Sequence, residues 1–259
     1  MKKILLIIIL FLAANVSASF ITIRSEVQTE LKDDQLIIDI STTNLGDEPA
    51  YNVQLNINVL GKNKASSVKQ IVGIRESFPS EFLFNISLDK SGNYPIILTT
   101  HYQDANYYPF SSISPSFFVY QENVISDIIG MIKQTEISGK GILSVTLRNT
   151  GEKDKIISFR LITPKEIAAN EKRTVIELES NKEKELNFEI ESFSALPGST
   201  YTIIGILEYD EDGKHYSSNI NGVVKIVEKR SVFRNSELLI GALIVLIIIF
   251  VYFQFKKKK

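Results

Sequence analysis

From Ala50 to Val59 the chain alternates. Val53, Leu55, Ile57 and Val59 take one parity, and Asn52, Gln54, Asn56 and Asn58 take the other. A period of two with one apolar face predicts a strand lying half-buried on a core. The pattern returns at Leu36, Ile38 and Ile40, and at Phe82, Phe84, Ile86 and Leu88. It returns again at Leu143, Val145 and Leu147, at Ile157, Phe159 and Leu161, and at Leu186, Phe188 and Ile190. Between these runs stand Asn44-Leu45-Gly46, Ser91-Gly92-Asn93, Asn149-Thr150-Gly151 and Asp212-Gly213, which supply turn chemistry. The one segment that fits a helical period is Val124, Ile125, Ile128, Ile129 and Ile132, a predicted short helix interrupted by Gly130. So many short alternating strands predict an all-β body of antiparallel sandwiches.

The body also repeats. Asn44 and Asn149 each end a strand and are followed two residues later by Gly46 and Gly151. Further along, Phe82-Leu83-Phe84 answers to Leu186-Asn187-Phe188, and a glycine-led strand runs from Gly92 to Tyr102 and from Gly198 to Tyr209. A stretch beginning at Tyr102 then matches one beginning at Tyr209. Features kept in order at matched spacing predict two tandem Ig-like antiparallel β-sandwich domains, 20–121 and 123–229, each with room for about seven strands. The join at Glu122-Asn123 is short enough to restrict their relative orientation.

Both ends of the sequence are apolar. Residues 1–18 read as a signal peptide: a positive start at Lys2-Lys3, an apolar stretch over 4–14, and Val16-Ser17-Ala18 as the cleavage site. Residues 238–255 hold no charged side chain, and at ~1.5 Å rise they make roughly 27 Å of helix, about a bilayer's hydrocarbon thickness. They are the expected transmembrane helix. Residues 230–237 form a juxtamembrane stalk, and 256–259 a basic tail of four lysines. With the tail inside, as the positive-inside rule asks, the expected location is a cell membrane, single-pass, with the body extracytoplasmic and the C-terminus cytoplasmic. A GPI signal would end apolar, and the Leu-Pro-x-Thr-Gly sorting motif is absent. Lys256-Lys257 also fits a dilysine retrieval signal, although a plain topology anchor explains it.

Charge and cysteine narrow the function. Setting the two terminal lysines and the tail aside, 23 basic residues face 30 acidic ones, a body of about −7. That balance argues against a nucleic-acid partner and against a polybasic membrane-surface role, both of which would call for dense positive charge. With no cysteine, disulfide frameworks and thiolate metal sites are excluded.

The strand-ending Asn-x-Gly followed by Ala50-Tyr51-Asn52-Val53 resembles the CARDB-type Ig-like modules of bacterial and archaeal surface proteins. Pro197-Gly198-Ser199-Thr200-Tyr201, with Glu208-Tyr209-Asp210-Glu211-Asp212-Gly213 after it, is similar to archaeal S-layer-associated domains. The resemblance covers both modules and implies surface display, adhesion or spacing, with no shared chemistry. The whole layout also resembles the alpha and beta subunits of the eukaryotic translocon-associated complex, which carry one such module rather than two.

No catalytic constellation is visible. His101 and His215 fall in different modules and read as surface strand or turn residues. Asp210 and Asp212 are a weak calcium candidate, because carboxylates in a turn suit a hard cation. A tight hairpin at Asp212-Gly213 explains the same residues. Asn85, in Asn85-Ile86-Ser87, is a glycosylation candidate expected to point outward. The aromatic loop Tyr107-Tyr108-Pro109-Phe110 suggests either a contact surface or packing against the neighbouring module. The expected protein is a membrane-anchored, non-catalytic binding, adhesion or spacer protein without a cofactor. It would hold the lipid bilayer by its C-terminal helix and meet a protein or envelope-polymer partner. The alternative is an accessory subunit of a membrane complex. An acid-pair enzyme acting on carbohydrate is the competing class.

Overall fold

The computed structural model describes residues 20–228, together with Gly241 and Val245, whose backbone is helical. The expected signal peptide, stalk and tail lie outside the described residues, as does all of the expected span except those two positions. Among the described residues no helix is long and apolar enough to cross a membrane. The body up to Val227 is one compact, all-β unit.

Its first half holds eight strands: β1 (Ile23–Lys32), β2 (Gln35–Asn44), β3 (Ala50–Val59), β4 (Lys62–Ala65), β5 (Lys69–Val72), β6 (Ser77–Asn85), β7 (Ser91–Gln103) and β8 (Pro109–Tyr120). Strands β1, β2 and β6 make one sheet in the order β1-β2-β6. Opposite it, β3 pairs with β7 and β7 with β8, while β4 and β5 share the outer edge of β3. The alternating residues meet between the layers: Leu36, Ile38 and Ile40 against Val53, Leu55, Ile57 and Val59, with Phe84, Leu98 and Phe118 among them. Burying each such side chain contributes roughly 1.5–3 kcal/mol. The free edge of β6 is blunted by β4, whose Lys62 and Lys64 donate to the carbonyls of Asn85 and Leu83.

The second half holds nine: β9 (Ile128–Ile132), β10 (Thr135–Ile137), β11 (Lys140–Asn149), β12 (Lys155–Ile162), β13 (Ile167–Ala169), β14 (Arg173–Leu178), β15 (Glu183–Ser192), β16 (Thr200–Glu211) and β17 (Lys214–Ile226). The sheet β13-β15-β11-β9 faces β14-β12-β16-β17, and β10 runs parallel along β17. Leu143, Val145, Leu147, Phe159 and Phe188 fill the core between them.

The predicted helix around Ile128 is a strand. In β9 Ile128 and Ile132 point inward while Ile129 and Met131 are exposed, and Gly130 between them lets the chain lie against β11. A Cβ there would stand 2.7 Å from Leu147 Cδ2. A glycine among β-branched residues costs a helix about 1 kcal/mol at that position, whereas the ladder with β11 satisfies the same backbone.

The repeat has an atomic basis. Asn44 and Asn149 are both fully buried. The Asn44 amide donates to the carbonyls of Glu48 and Val72 and accepts from Gly46 N–H. The Asn149 amide donates to those of Lys153 and Leu178 and accepts from Gly151 N–H. One buried side chain thus closes the same turn in each half.

Candidate functional site

Outside the two cores, the side chains of the described body converge on the seam between its halves. Residues 94–98 of β7 and 203–207 of β16 are buried on both faces. One parity of each run enters its own core. The other supplies Ile97, Ile204 and Ile206, which with Ile113 form a third apolar cluster between the halves. Ile97 and Ile204 each stand five residues before the matched tyrosines Tyr102 and Tyr209, so equivalent positions of the repeat meet at the seam. The halves lie in opposite senses. The β16–β17 hairpin reaches the loop before β7, where Lys90 Nζ is 2.7 Å from Asp210 Oδ2. The β7–β8 hairpin reaches the loop before β16, where Tyr102, Asp104 and Phe110 share a groove with Leu196 and Ser199.

At the first of these ends, β17 also joins β7 edge to edge. His215 pairs with Gly92 in parallel register, continuing the line that β3 leaves at Ile96. Gly92 has φ 141°, and a Cβ there would fall 1.9 Å from the His215 carbonyl oxygen. The His215 ring stacks on Tyr94 at 4.3 Å. Its Nδ1 lies 2.8 Å from Asp210 Oδ1, and its Nε2 lies 3.6 Å from Glu208 Oε1. Burial acts to lower its pKa, but the hydrogen bonds and charges of Glu208 and Asp210 outweigh it and hold the imidazole above its usual 6.5. Burial pushes the Tyr94 phenol up to about 12, with Asp210 adding to the effect, so it stays neutral and donates to the Lys90 carbonyl. Ser217 Oγ donates to the Asn93 carbonyl across the seam, and Lys214 Nζ meets Glu122 Oε1 at 2.6 Å beside the join.

At the other end the hydroxyl of Ser111 donates to the buried carboxylate of Glu166 at 2.6 Å. Ser111 and Ser217 follow the matched aromatics Phe110 and Tyr216, which stack on Tyr102 and Tyr209 in their respective hairpins. Equivalent serines therefore cross the seam at its two ends.

The singled-out residues divide. Asp210 and Asp212 do not converge. Asp210 is engaged by Lys90 and His215, and Asp212 by Lys153 at 2.9 Å. Asp212 and Gly213 both take positive φ in the two-residue turn between β16 and β17. Among the described residues no three His, Asp or Glu side chains gather as a metal would need. Asn85 is exposed on β6. His101 is half-buried in β7, its pKa lowered first by burial and then by Lys165. His215, expected at the surface, is instead a seam residue. In the aromatic loop only Phe110 is partly covered, and Tyr107 and Tyr108 stand out in solvent. Alternation gives no sign of Lys155, whose side chain is 3% exposed and whose ammonium lies between Glu211 Oε2 at 2.6 Å and Asp127 Oδ2 at 3.2 Å. Burial works against its charge, and these two carboxylates more than restore it.

No protein-family model matches the chain. No curated protein matches it either. Among solved structures, a point mutant of Salmonella alpha-2-macroglobulin overlaps 80% of this chain and 16% of its own, at 8% identity and TM-score 0.35. Trypsin-activated alpha-2-macroglobulin from Escherichia coli overlaps 80% and 18%, at 9% identity and TM-score 0.32. Red sea bream transglutaminase overlaps 85% and 33%, at 12% identity and TM-score 0.28. The chain thus spans a third or less of the length of each of these proteins. At these TM-scores the likenesses carry no argument about activity.

Proposed function

We propose that the chain is a membrane-anchored, extracytoplasmic, non-catalytic protein whose two Ig-like modules act as one stiff spacer that presents its far end to a partner. The observation that carries this reading is the seam. An apolar cluster, a strand-to-strand junction and the His215–Tyr94 stack bind the halves along their length rather than at a point. Both ends of the described body lie together. Phe20 lines the groove that Ser199 lines, and the Ser199 carbonyl accepts from Ile226 N–H. The His215 turn stands at the opposite end of the β16–β17 hairpin from these residues. The apolar run 238–255 and the likeness to CARDB-type surface modules support the anchored half of the reading.

Carbonate extraction with protease treatment of intact cells tests it. The expected result is a chain that stays with the membrane while its body is cut from outside. Release into the carbonate supernatant, or a body shielded in intact cells, overturns the reading.

A further inference from the structure

Strand β1 is a sheet edge with one side open. It ends the order β1-β2-β6, and among the described residues no strand pairs with its outer side. All of Ile23–Lys32 pair with β2 without a shift in register, and none of these residues is proline or glycine. Other edges are shorter, interrupted or covered. Strands β13 and β14 have three and six residues, β8 carries Pro115, and β6 lies under Lys62 and Lys64. A long regular edge left open is a template for another strand.

The hairpin fixes which residues offer their backbone. The carbonyls of Phe20 and Thr22 accept from the N–H groups of Asp47 and Leu45. These pairs continue the β1–β2 register, in which Ile23 faces Asn44. Bonding alternates along an antiparallel ladder, so Arg24, Glu26, Gln28, Glu30 and Lys32 bond to β2. Ile23, Ser25, Val27, Thr29 and Leu31 then turn their N–H and C=O groups outward. On the core side, Ile23, Val27 and Leu31 pack against the first core but stay only half-buried. Leu36 and Ile40, which face Leu31 and Val27 across the hairpin, are at most 2% exposed. The core is closed as far as β2 and left open at β1, where a further strand would cover it.

The solvent side of β1 selects that strand. It carries Arg24, Glu26, Gln28, Glu30 and Lys32, all exposed. Two copies of β1 laid antiparallel about Val27 set Arg24 opposite Glu30, Glu26 opposite Gln28, and Ile23 opposite Leu31. Every outward backbone group from Ile23 to Leu31 then meets another. Centring the pair on Gln28 would oppose Glu26 to Glu30 and Arg24 to Lys32, and centring it on Glu26 would set that carboxylate against its own copy. Both put like charges face to face, which is destabilising. Centring on Thr29 sets Glu26 opposite Lys32 but leaves Ile23 and Ser25 outside the ladder.

We infer that the outer edge of β1 binds β1 of a second copy of this chain, antiparallel about Val27, so that two β1-β2-β6 sheets become one. The inference concerns the body alone and does not rest on the anchored reading. The chain has no cysteine, so an introduced thiol can link only to another introduced thiol. Residues paired through their backbones stand ~5.5 Å apart at Cα, within disulfide reach. The full chain in detergent would carry Val27→Cys, Ser25→Cys, Thr29→Cys or, at an exposed position on β14, the control Val175→Cys, and would be oxidised mildly. The expected result is self-linking of Val27→Cys alone. Ser25→Cys and Thr29→Cys should link when mixed and not separately, which keeps the test open if Val27→Cys unsettles the core beneath it. Adding Arg24→Glu to Val27→Cys should lower the linked fraction by about tenfold, and Glu30→Arg should restore it. Self-linking of Thr29→Cys, equal linking of Val175→Cys, or indifference to Arg24→Glu overturns the inference. So does a chain that links at none of these positions, which would leave the edge to a different partner or to water.

Discussion

The imidazole of His215 lies flat on the phenol ring of Tyr94, with centroids 4.3 Å apart and planes within 11°. The two residues belong to different halves of the repeat, so this stack is part of what makes the body one piece. Around the ring stand Asp210, Glu208 and Lys90, and Arg160 reaches Glu208 at 3.6 Å.

Seam strength should depend on pH in a defined direction. The folded-state pKa of His215 is raised above 6.5, so its contribution is fully present below pH 6.5 and is lost as pH rises through the raised value. Burial acts to raise the pKa of Asp210, but Lys90 and His215 hold it below 3.8. Its contribution is therefore present above pH 3.8 and is lost as pH falls through the depressed value. Urea midpoints should be highest between these limits and should decline toward alkaline pH. His215→Gln should flatten the alkaline decline, and an unchanged slope would remove His215 from the account.

Gly92 should tolerate no side chain. Gly92→Ala places a Cβ against the His215 carbonyl and should cost about 2–3 kcal/mol in chemical denaturation. Gly61→Ala is the control: its φ is also positive, at 76°, but nothing lies within 4 Å. It should cost about 1 kcal/mol. Equal losses at the two sites would mean that backbone conformation, and not the seam contact, is what Gly92 supplies.

Asn44→Ala and Asn149→Ala should destabilise alike, by about 2–3 kcal/mol each, because each strands two carbonyls behind the same turn. Thermal denaturation of the single variants checks this. A marked inequality would show that the two turns are not energetically equivalent.

Lys155→Met should cost about 3 kcal/mol, since it leaves the Glu211 carboxylate, 19% exposed, with only the more distant Lys153 ammonium at 3.9 Å. Adding Glu211→Leu should recover part of the loss, because removing both charges is cheaper than removing one. Failure of that rescue would place the value of Lys155 in its packing over the Tyr209 ring, 4.9 Å away.

The strands that the sequence made legible are those with one face on a core. Val53 to Val59 and Leu143 to Leu147 alternate because water lies on one side and apolar side chains on the other. Strands β4, β5 and β10 were not legible, because short edge strands need no apolar face. The seam had a signal that alternation conceals. Pro95-Ile96-Ile97-Leu98 and Ile203-Ile204-Gly205-Ile206-Leu207 are unbroken apolar runs, which mark strands buried on both sides. His215 and Lys155 were not legible, since a single histidine or lysine carries no mark of what will pack over it.

The central claim is that the two halves form one stiff body. The chain has no cysteine, so two introduced thiols can be spin-labelled without interference. Gln28→Cys on β1 and Glu185→Cys on β15 are exposed positions in the two halves. Pulsed electron–electron resonance on the full-length chain should give one narrow distance distribution, which broadens when Gly92→Ala is added. A broad or two-peaked distribution in the chain that retains Gly92 would mean that the halves swing about Glu122-Asn123, and the account of a rigid spacer would be wrong.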